Sequence, residues 1–419
     1  MANSFANVQT KASWVAMKGL DLLVNGLHVA PYFDTSYSGE YAQKFAIGRT
    51  LTIPLSQRIR PRTDMTYNPG AMDRPTTTLP IDQIRGYDLE WESIEKALDM
   101  ERGEARVEEL YLKPAVAYLR QEIDKYCAQF AAQNANMTVG ALGTNASTLD
   151  GTSAAAKQAL EQMGGMPDDG DVACCLPPAV LRAIKTSNIG YFTPQSDLAK
   201  AWRTGNNGMA DGMDFYSSNS LYKHTAGTWA GTVSVNGASQ SGSSLAINCT
   251  SGDTFKAGDM FTIADVNEVN QMSRIVTTTA AAGTKQFKVT ADVTATASTA
   301  TLTIYPPIYG PASNYQNVDA LPANSAALTL WTGTSSPNGK SGKLGLVIAP
   351  GAFLLASVKL EEPTAVEICK QYQDPKTGLA LRFIRQWDNI QSRMTNRFDL
   401  TFGCGIGLAE QAAVVIACA

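Results

Sequence analysis

Histidine is nearly missing from this sequence: His28 and His224 are the two it has. With so few, no Ser-His-Asp or Cys-His set can be assembled, and neither HExxH nor GxxxxGK[S/T] occurs. CxxC spacing is missing too. The seven cysteines are Cys127, Cys174, Cys175, Cys249, Cys369, Cys404 and Cys418, with the adjacent pair inside the apolar run VACCL. That pattern argues against a zinc ribbon or disulfide scaffold and for buried thiols from a reducing compartment. There is no basic surplus, since Lys+Arg 34 against Asp+Glu 38 leaves a net charge of −4. A chain whose main work is gripping nucleic acid carries a basic stripe.

Long apolar runs are missing as well. The N-terminus has no basic segment followed by an apolar core, so no signal peptide is expected, and no stretch approaches a membrane span. The Asn-x-Ser/Thr matches at Asn136, Asn145 and Asn248 then read as chance. Two acidic turns, MPDDGD from Met166 and DVNEVN from Asp265, lack EF-hand spacing. GCGIGLAE, from Gly403, reads as glycines opening a turn, and Glu361–Glu362 has no cleft signature. No catalytic, metal or cofactor residue emerges, and an enzyme is not expected.

What is present is a long chain with several textures. Its 419 residues, 44% of them hydrophobic, can bury two or three domains. Residues up to about 35 read as a short amphipathic helix, carried by Leu20, Leu23 and Leu27 and stopped by Gly26 and Pro31, followed by an extended arm. Next come two extended, polar stretches joined near Asn68-Pro69-Gly70, a finger with little apolar surface of its own. On a strand Arg58, Arg60 and Arg62 share one face, and Arg85 follows in the returning stretch. A disordered surface loop is the plain alternative to an arm docked on another subunit.

The longest helical pattern follows, with Leu110, Leu119, Ile123, Cys127 and Phe130 at helical spacing and Pro114 inside it, where a kink is expected. A mixed region then places helices at SAAAKQALEQM and PPAVLRAIKTS and strands at DVACCL and MDFYSS. From about Thr225 to Pro307 the charge thins, and short strands are expected at GTVSV, SLAIN, MFTIA, SRIVT, QFKVT and ATLTI. This reads as a small β domain inserted into another fold. Its expected core is Leu245, Ile247, Phe261, Ile263, Ile275, Val276, Phe287, Val289, Leu302 and Ile304, and FYSSNSLY and IYPPIYGP read as matched entry and exit strands. Beyond it GKLGLVIAPGAFLLAS reads as a strand and a helix, TAVEICKQYQDPKTGLALRFIRQWD as a hairpin, and RFDLTFGCGIG and AAVVIA as late strands.

This order of parts resembles the major capsid proteins of tailed bacteriophages, of Hong Kong 97-like fold, and in particular the podovirus coat type with an inserted domain. Local segments carry the same likeness: GMDFYSSNSLYKHTAG, FKAGDMFTI, NYQNVDALPA, LVIAPGAFLLASVKLEEP and QWDNIQSRMTNRFDLTFGCGIGLAEQAAVVI. The resemblance implies an α+β chain. Residues 1–40 would be the N-terminal arm, 41–98 the E-loop finger, and 99–148 with 360–402 the spine helix and P-domain. Residues 149–224 with 308–359 and 403–419 would be the A-domain, and 225–307 an inserted β-barrel. It implies hexamers and pentamers in an icosahedral lattice, a separate scaffolding protein, a portal protein, and packaged double-stranded DNA held without sequence-specific binding. The setting would be the virion, assembled in the host bacterial cytoplasm without a membrane. Arg58, Arg60, Arg62 and Arg85 would face carboxylates of a neighbouring subunit. Some members of this fold join subunits through a finger lysine; here none occurs between Lys44 and Lys96. A carbohydrate-binding or adhesin-like surface protein is the alternative, with a secreted hydrolase third, and neither needs the finger or the long helix.

Overall fold

The computed structural model describes residues 16–37, 50–55, 65, 75–92, 113–143, 154–163, 172–187, 209–210, 213–229, 232–330, 339–364, 366–375, 377–390 and 393–418. They fall into two units. The first takes in Met1–Ile53, Thr76–Cys127 and Phe353–Ile406; the second takes in Pro54–Pro75, Ala128–Ala352 and Gly407–Ala419.

In the first unit a helix over 16–24 buries Leu20 and Leu23, and the chain then tightens into a 3-10 turn, Ala30–Tyr32, with Pro31 inside it. The unit's sheet is built on the long strand Arg393–Ile406. It pairs with Ala380–Asp388, which pairs in turn with Ile368–Gln373, and it also pairs with Gln83–Glu92 and Phe353–Ser357. The hairpin turns where sequence placed it. The Asp374 carboxylate accepts hydrogen bonds from the backbone N–H and hydroxyl of Thr377, and Gly378 takes a φ of 67°. Phe398, Leu400, Phe402 and Cys404 alternate along the long strand and are all buried. The spine helix, Lys113–Asn134, brings Leu119, Ile123 and Cys127 to one side at four-residue spacing, with Tyr126 edge-on to Phe402 at 5.4 Å. Cys127 and Cys404 meet there with Sγ atoms 3.9 Å apart, a contact between thiols and not a bond.

One expectation fails in this unit. Phe353–Ser357 is a strand and not a helix. All five of its residues are buried and the first four are apolar, and a short unbroken apolar run carries no period to tell strand from helix. Its partner is the end of the long strand, from Phe402 to Ile406. The expected division at 402/403 falls inside the long strand, and that at 359/360 parts Phe353–Ser357 from the sheet it joins.

The glycines of GCGIG have a packing reason. A Cβ on Gly403 would overlap the carbonyl oxygen of Pro80, and one on Gly405 would press on Leu79. Both glycines let the strand Thr76–Pro80 lie close over the long strand, where the Thr77 hydroxyl donates to the carbonyl of Ile406 at 2.8 Å. Gly403→Ala is expected to lower stability by about 1–3 kcal/mol, the usual cost of overpacking. The denaturant midpoint reads this, and an unchanged midpoint would mean that the crossing strand shifts freely.

The second unit holds two sheets. The larger, or host, sheet runs in the order Met137–Gly140, Ala413–Ala417, Ser341–Ile348, Val172–Leu176, Met213–Ser217, Met209–Ala210. Val172–Leu176 and Ala413–Ala417 are buried at every position, as strands covered on both faces are. The helix Ala155–Met163 packs on Ala413–Ala417.

The other sheet is antiparallel. Its order is Leu328–Leu330, Met260–Ile263, Gln286–Val289, Thr299–Ile308, Gly242–Asn248, Ser234–Val235. Its two ends meet: Ser234 bridges Ala327, the Leu328 N–H donates to Val233, and the Val235 N–H donates to Ala326. The sheet is thus closed into a barrel and has no free edge there. Leu245, Ile247, Phe261, Ile263, Phe287, Val289, Leu302 and Ile304 fill it, each at most 2% exposed.

Three readings of this region are corrected. SRIVT forms no strand, and Ile275 is 68% exposed. The Asn270 side chain accepts from the N–H groups of Met272 and Ser273, and Arg274 turns left-handed at φ 58°, so a local turn closed by the isolated Val269–Val276 bridge stands in place of a strand. FYSS and IYPPI do not pair with each other. Met213–Ser217 runs parallel to Val172–Leu176 in the host sheet, whereas Thr299–Ile308 belongs to the barrel. The barrel also extends past Pro307, because Leu328–Leu330 is one of its strands.

Candidate functional site

Three arrangements stand out as places where the fold ties one part of the chain to another. The first is the base of the finger. Thr50–Pro54 and Thr76–Pro80 form a two-stranded ribbon whose Leu51, Ile53 and Leu79 are buried with Leu354, Ala356 and Val358. The base therefore has an apolar seat, contrary to the expectation of a finger with almost none. Arg58, Arg60 and Arg62 lie outside the described residues. Arg85 stands in the sheet, opposite Leu400, with its guanidinium donating to the carbonyl of Ile84 at 2.9 Å. Its charge reaches Tyr126, whose phenol is pushed up to about 12, mainly by burial, with Arg85 pulling the other way. Pro114 is exposed near the start of the spine helix as described, and the preceding stretch, which a kink would involve, lies outside the described residues.

The second is a clasp on the arm. Asp124, on the spine helix and 2% exposed, accepts backbone N–H bonds from His28 at 2.9 Å, Val29 at 3.1 Å and Ala30 at 3.3 Å. Burial raises its carboxyl pKa, and the three N–H bonds oppose that rise. Further along, Asp34 bridges Leu354, and Phe33 stacks on Phe353 at 5.3 Å.

The third is the seam between barrel and host sheet. Along KQFKV, Phe287 and Val289 point into the barrel, while three polar side chains reach the host. Lys285, fully buried, pairs with Glu410 at 3.0 Å and Glu268 at 3.2 Å. Asn317 donates to the same Glu410 oxygen at 3.1 Å. Burial opposes the charge on Lys285, but Glu410 and Glu268 outweigh it and hold its pKa above the ordinary value. The Gln286 amide takes both backbone groups of Thr138, accepting from its N–H at 2.5 Å and donating to its carbonyl at 3.0 Å. Lys288, also fully buried, donates to the carbonyl of Ala132 at 2.5 Å. That carbonyl is in the last turn of the spine helix, which has no basic residue of its own. Beside it His224 meets Asp259 at 2.8 Å, and Asp259 also accepts from the N–H groups of Gly227 and Lys256.

Sequence reasoning missed this seam. DVNEVN looked like a cation turn, yet Glu268 is spent on Lys285, and the N–H and side-chain amide of Asn267 bond to Asp319. MPDDGD lies outside the described residues. The one signal available was Gln286 and Lys288 within a charge-poor segment, at spacing that puts both on the strand face away from Phe287 and Val289. No described helix is long and apolar enough to cross a membrane.

A family model described as P22 coat protein, gene protein 5, matches residues 92–414. No curated protein matches. Among solved structures the chain is similar to one from Mycobacterium phage Che8, at 12% identity and TM-score 0.45, covering 93% of this chain and 90% of that one. It is similar to the capsid of Ralstonia phage GP4 at 9% identity and TM-score 0.43, covering 88% and 83%. The capsid of Cyanophage P-SCSP1u follows at 11% identity and TM-score 0.39, covering 89% and 84%.

Proposed function

This chain belongs to the P22 coat protein family and is a structural major capsid protein; from that premise we propose that its copies close into an icosahedral shell of hexamers and pentamers around double-stranded DNA. The matched span, residues 92–414, carries this reading, because it runs from the end of the finger through the spine helix and the barrel to the last strand. The carbohydrate-binding alternative gives way to it.

The finer parts of the reading are these. The DNA is enclosed without sequence-specific contacts, consistent with a net charge of −4. A separate scaffolding protein and a portal protein take part, and assembly takes place in the host bacterial cytoplasm. The barrel stands as an accessory domain on the lattice. The finger lies on a neighbouring subunit, with Arg58, Arg60, Arg62 and Arg85 facing its carboxylates. Exposed pairs of this kind contribute about 0–1 kcal/mol each, so they set register more than strength.

Electron microscopy of the purified chain, with a scaffolding partner or at high concentration, is the test. Shells or capsomer-like rings are expected, and a strict monomer under all such conditions overturns the reading. Replacing Arg58, Arg60 and Arg62 together by Ala should leave the subunit folded and reduce shell yield, increasingly as salt screens the remaining pairs. A yield unchanged across the salt series would leave the arginines as a solvated edge.

A further inference from the structure

We propose that the strand Gln286–Val289 is a proton-sensitive clamp: through Lys288, seated on the carbonyl end of the spine helix, the barrel holds the host sheet more tightly as the pH rises. The geometry singles out this residue. Gln286 and Lys288 are two residues apart and project from the same side of the strand, so docking seats both at once. Lys288 has no exposed surface and its recorded partner is a neutral carbonyl, whereas Lys285 has two carboxylates. Ala132 faces Lys288 from the helix, and Met260 and Tyr305 are its neighbours in the barrel ladder. Asp259 lies nearby but is engaged by His224 and backbone N–H groups.

Burial lowers the Lys288 pKa to about 7, with Asp259 offsetting part of the effect. Once the barrel lifts off, the amine meets water and returns to about 10. Between those two values the released state binds a proton that the docked state does not. Release is therefore favoured as pH falls across that window, by up to about tenfold per pH unit. Below the docked value both states are protonated, and this group adds no further dependence. Lys285, whose pKa Glu410 and Glu268 hold above its ordinary value, stays charged across this window.

The test is hydrogen exchange on the full-length chain between pH 7 and 9, corrected for the intrinsic rate, and it does not depend on shell assembly. Residues 135–143 contain the Thr138 N–H that Gln286 accepts. Their protection should climb with pH, while that of residues 341–348, in the middle of the host sheet, stays level. Lys288→Met should abolish the slope and keep protection high. Lys288→Arg, which cannot lose its proton, should abolish it at low protection. A flat wild-type profile overturns the proposal. So do equal slopes in the two segments, which would place the proton on global stability. If neither variant folds, the wild-type comparison alone decides.

Discussion

Lys285→Ala is expected to cost about 3–5 kcal/mol, the range for removing one partner of a buried ion pair. The wild-type ammonium is fully buried between Glu268 and Glu410, whose side chains are 14% and 12% exposed. Its loss leaves two carboxylates facing each other with little water. Burial already raises the pKa of Glu268 against the pull of Lys285, so without that pull the rise must grow. Asn317 is drawn in as well, since it donates to Glu410 and also fixes Pro307 and Tyr309 at the end of the barrel strand Thr299–Ile308. Chemical denaturation reads the loss, and a change below 1 kcal/mol would show that the cluster is solvated or rearranges freely. Changing Glu268 and Glu410 to Gln in the same chain should recover part of it, because the unpaired charge is then gone.

The second large effect concerns the barrel on its own. A fragment of residues 225–330 is expected to melt cooperatively, and one of residues 225–307 is not. The shorter piece lacks Leu328–Leu330, which pairs with Met260–Ile263, and lacks Ala327, which bridges Ser234. It would open one sheet edge at Met260–Ile263, where Phe261 and Ile263 are fully buried in the intact chain, and another at Ser234–Val235. A domain of this size buries only about 60% of its chain surface and has little margin for such a loss. The longer piece also gains something. Lys285 and Lys288 reach water on excision, which removes the cost of keeping them dry. Thermal circular dichroism and amide NMR dispersion decide between the two fragments. Equal cooperativity in both would mean that the closing strand is dispensable.

Much of the barrel was legible because its strands are short, alternate in polarity and are separated by turns such as Asn236-Gly237, where Gly237 takes a φ of 97°. Two core assignments failed, Ile275 and Val276, because Asn270 offers the backbone a local turn that apolar counting does not see. Phe353–Ser357 was misread because burial on both faces erases the period. The seam was least legible. Lysine on a strand reads as a solvent-facing residue, and its partners lie far away in sequence: Ala132 is 156 residues from Lys288, and Glu410 is 125 from Lys285. GCGIG read as a turn because the backbone it must clear, at Pro80, comes from a distant strand.

Gln286 has a consequence for the chain as a crowded solute. Met137–Gly140 ends the host sheet, and the outward N–H and carbonyl of Thr138 would otherwise be a template for any passing strand. The amide of one side chain occupies both, imitating a ladder partner without being one. A protein that must accumulate in many copies before it assembles cannot leave such an edge open, since identical chains would add to it and grow fibres in place of a closed array. On this view Gln286 guards against mispairing, and Gln286→Ala should show first as turbidity in concentrated solution, ahead of any large fall in melting temperature.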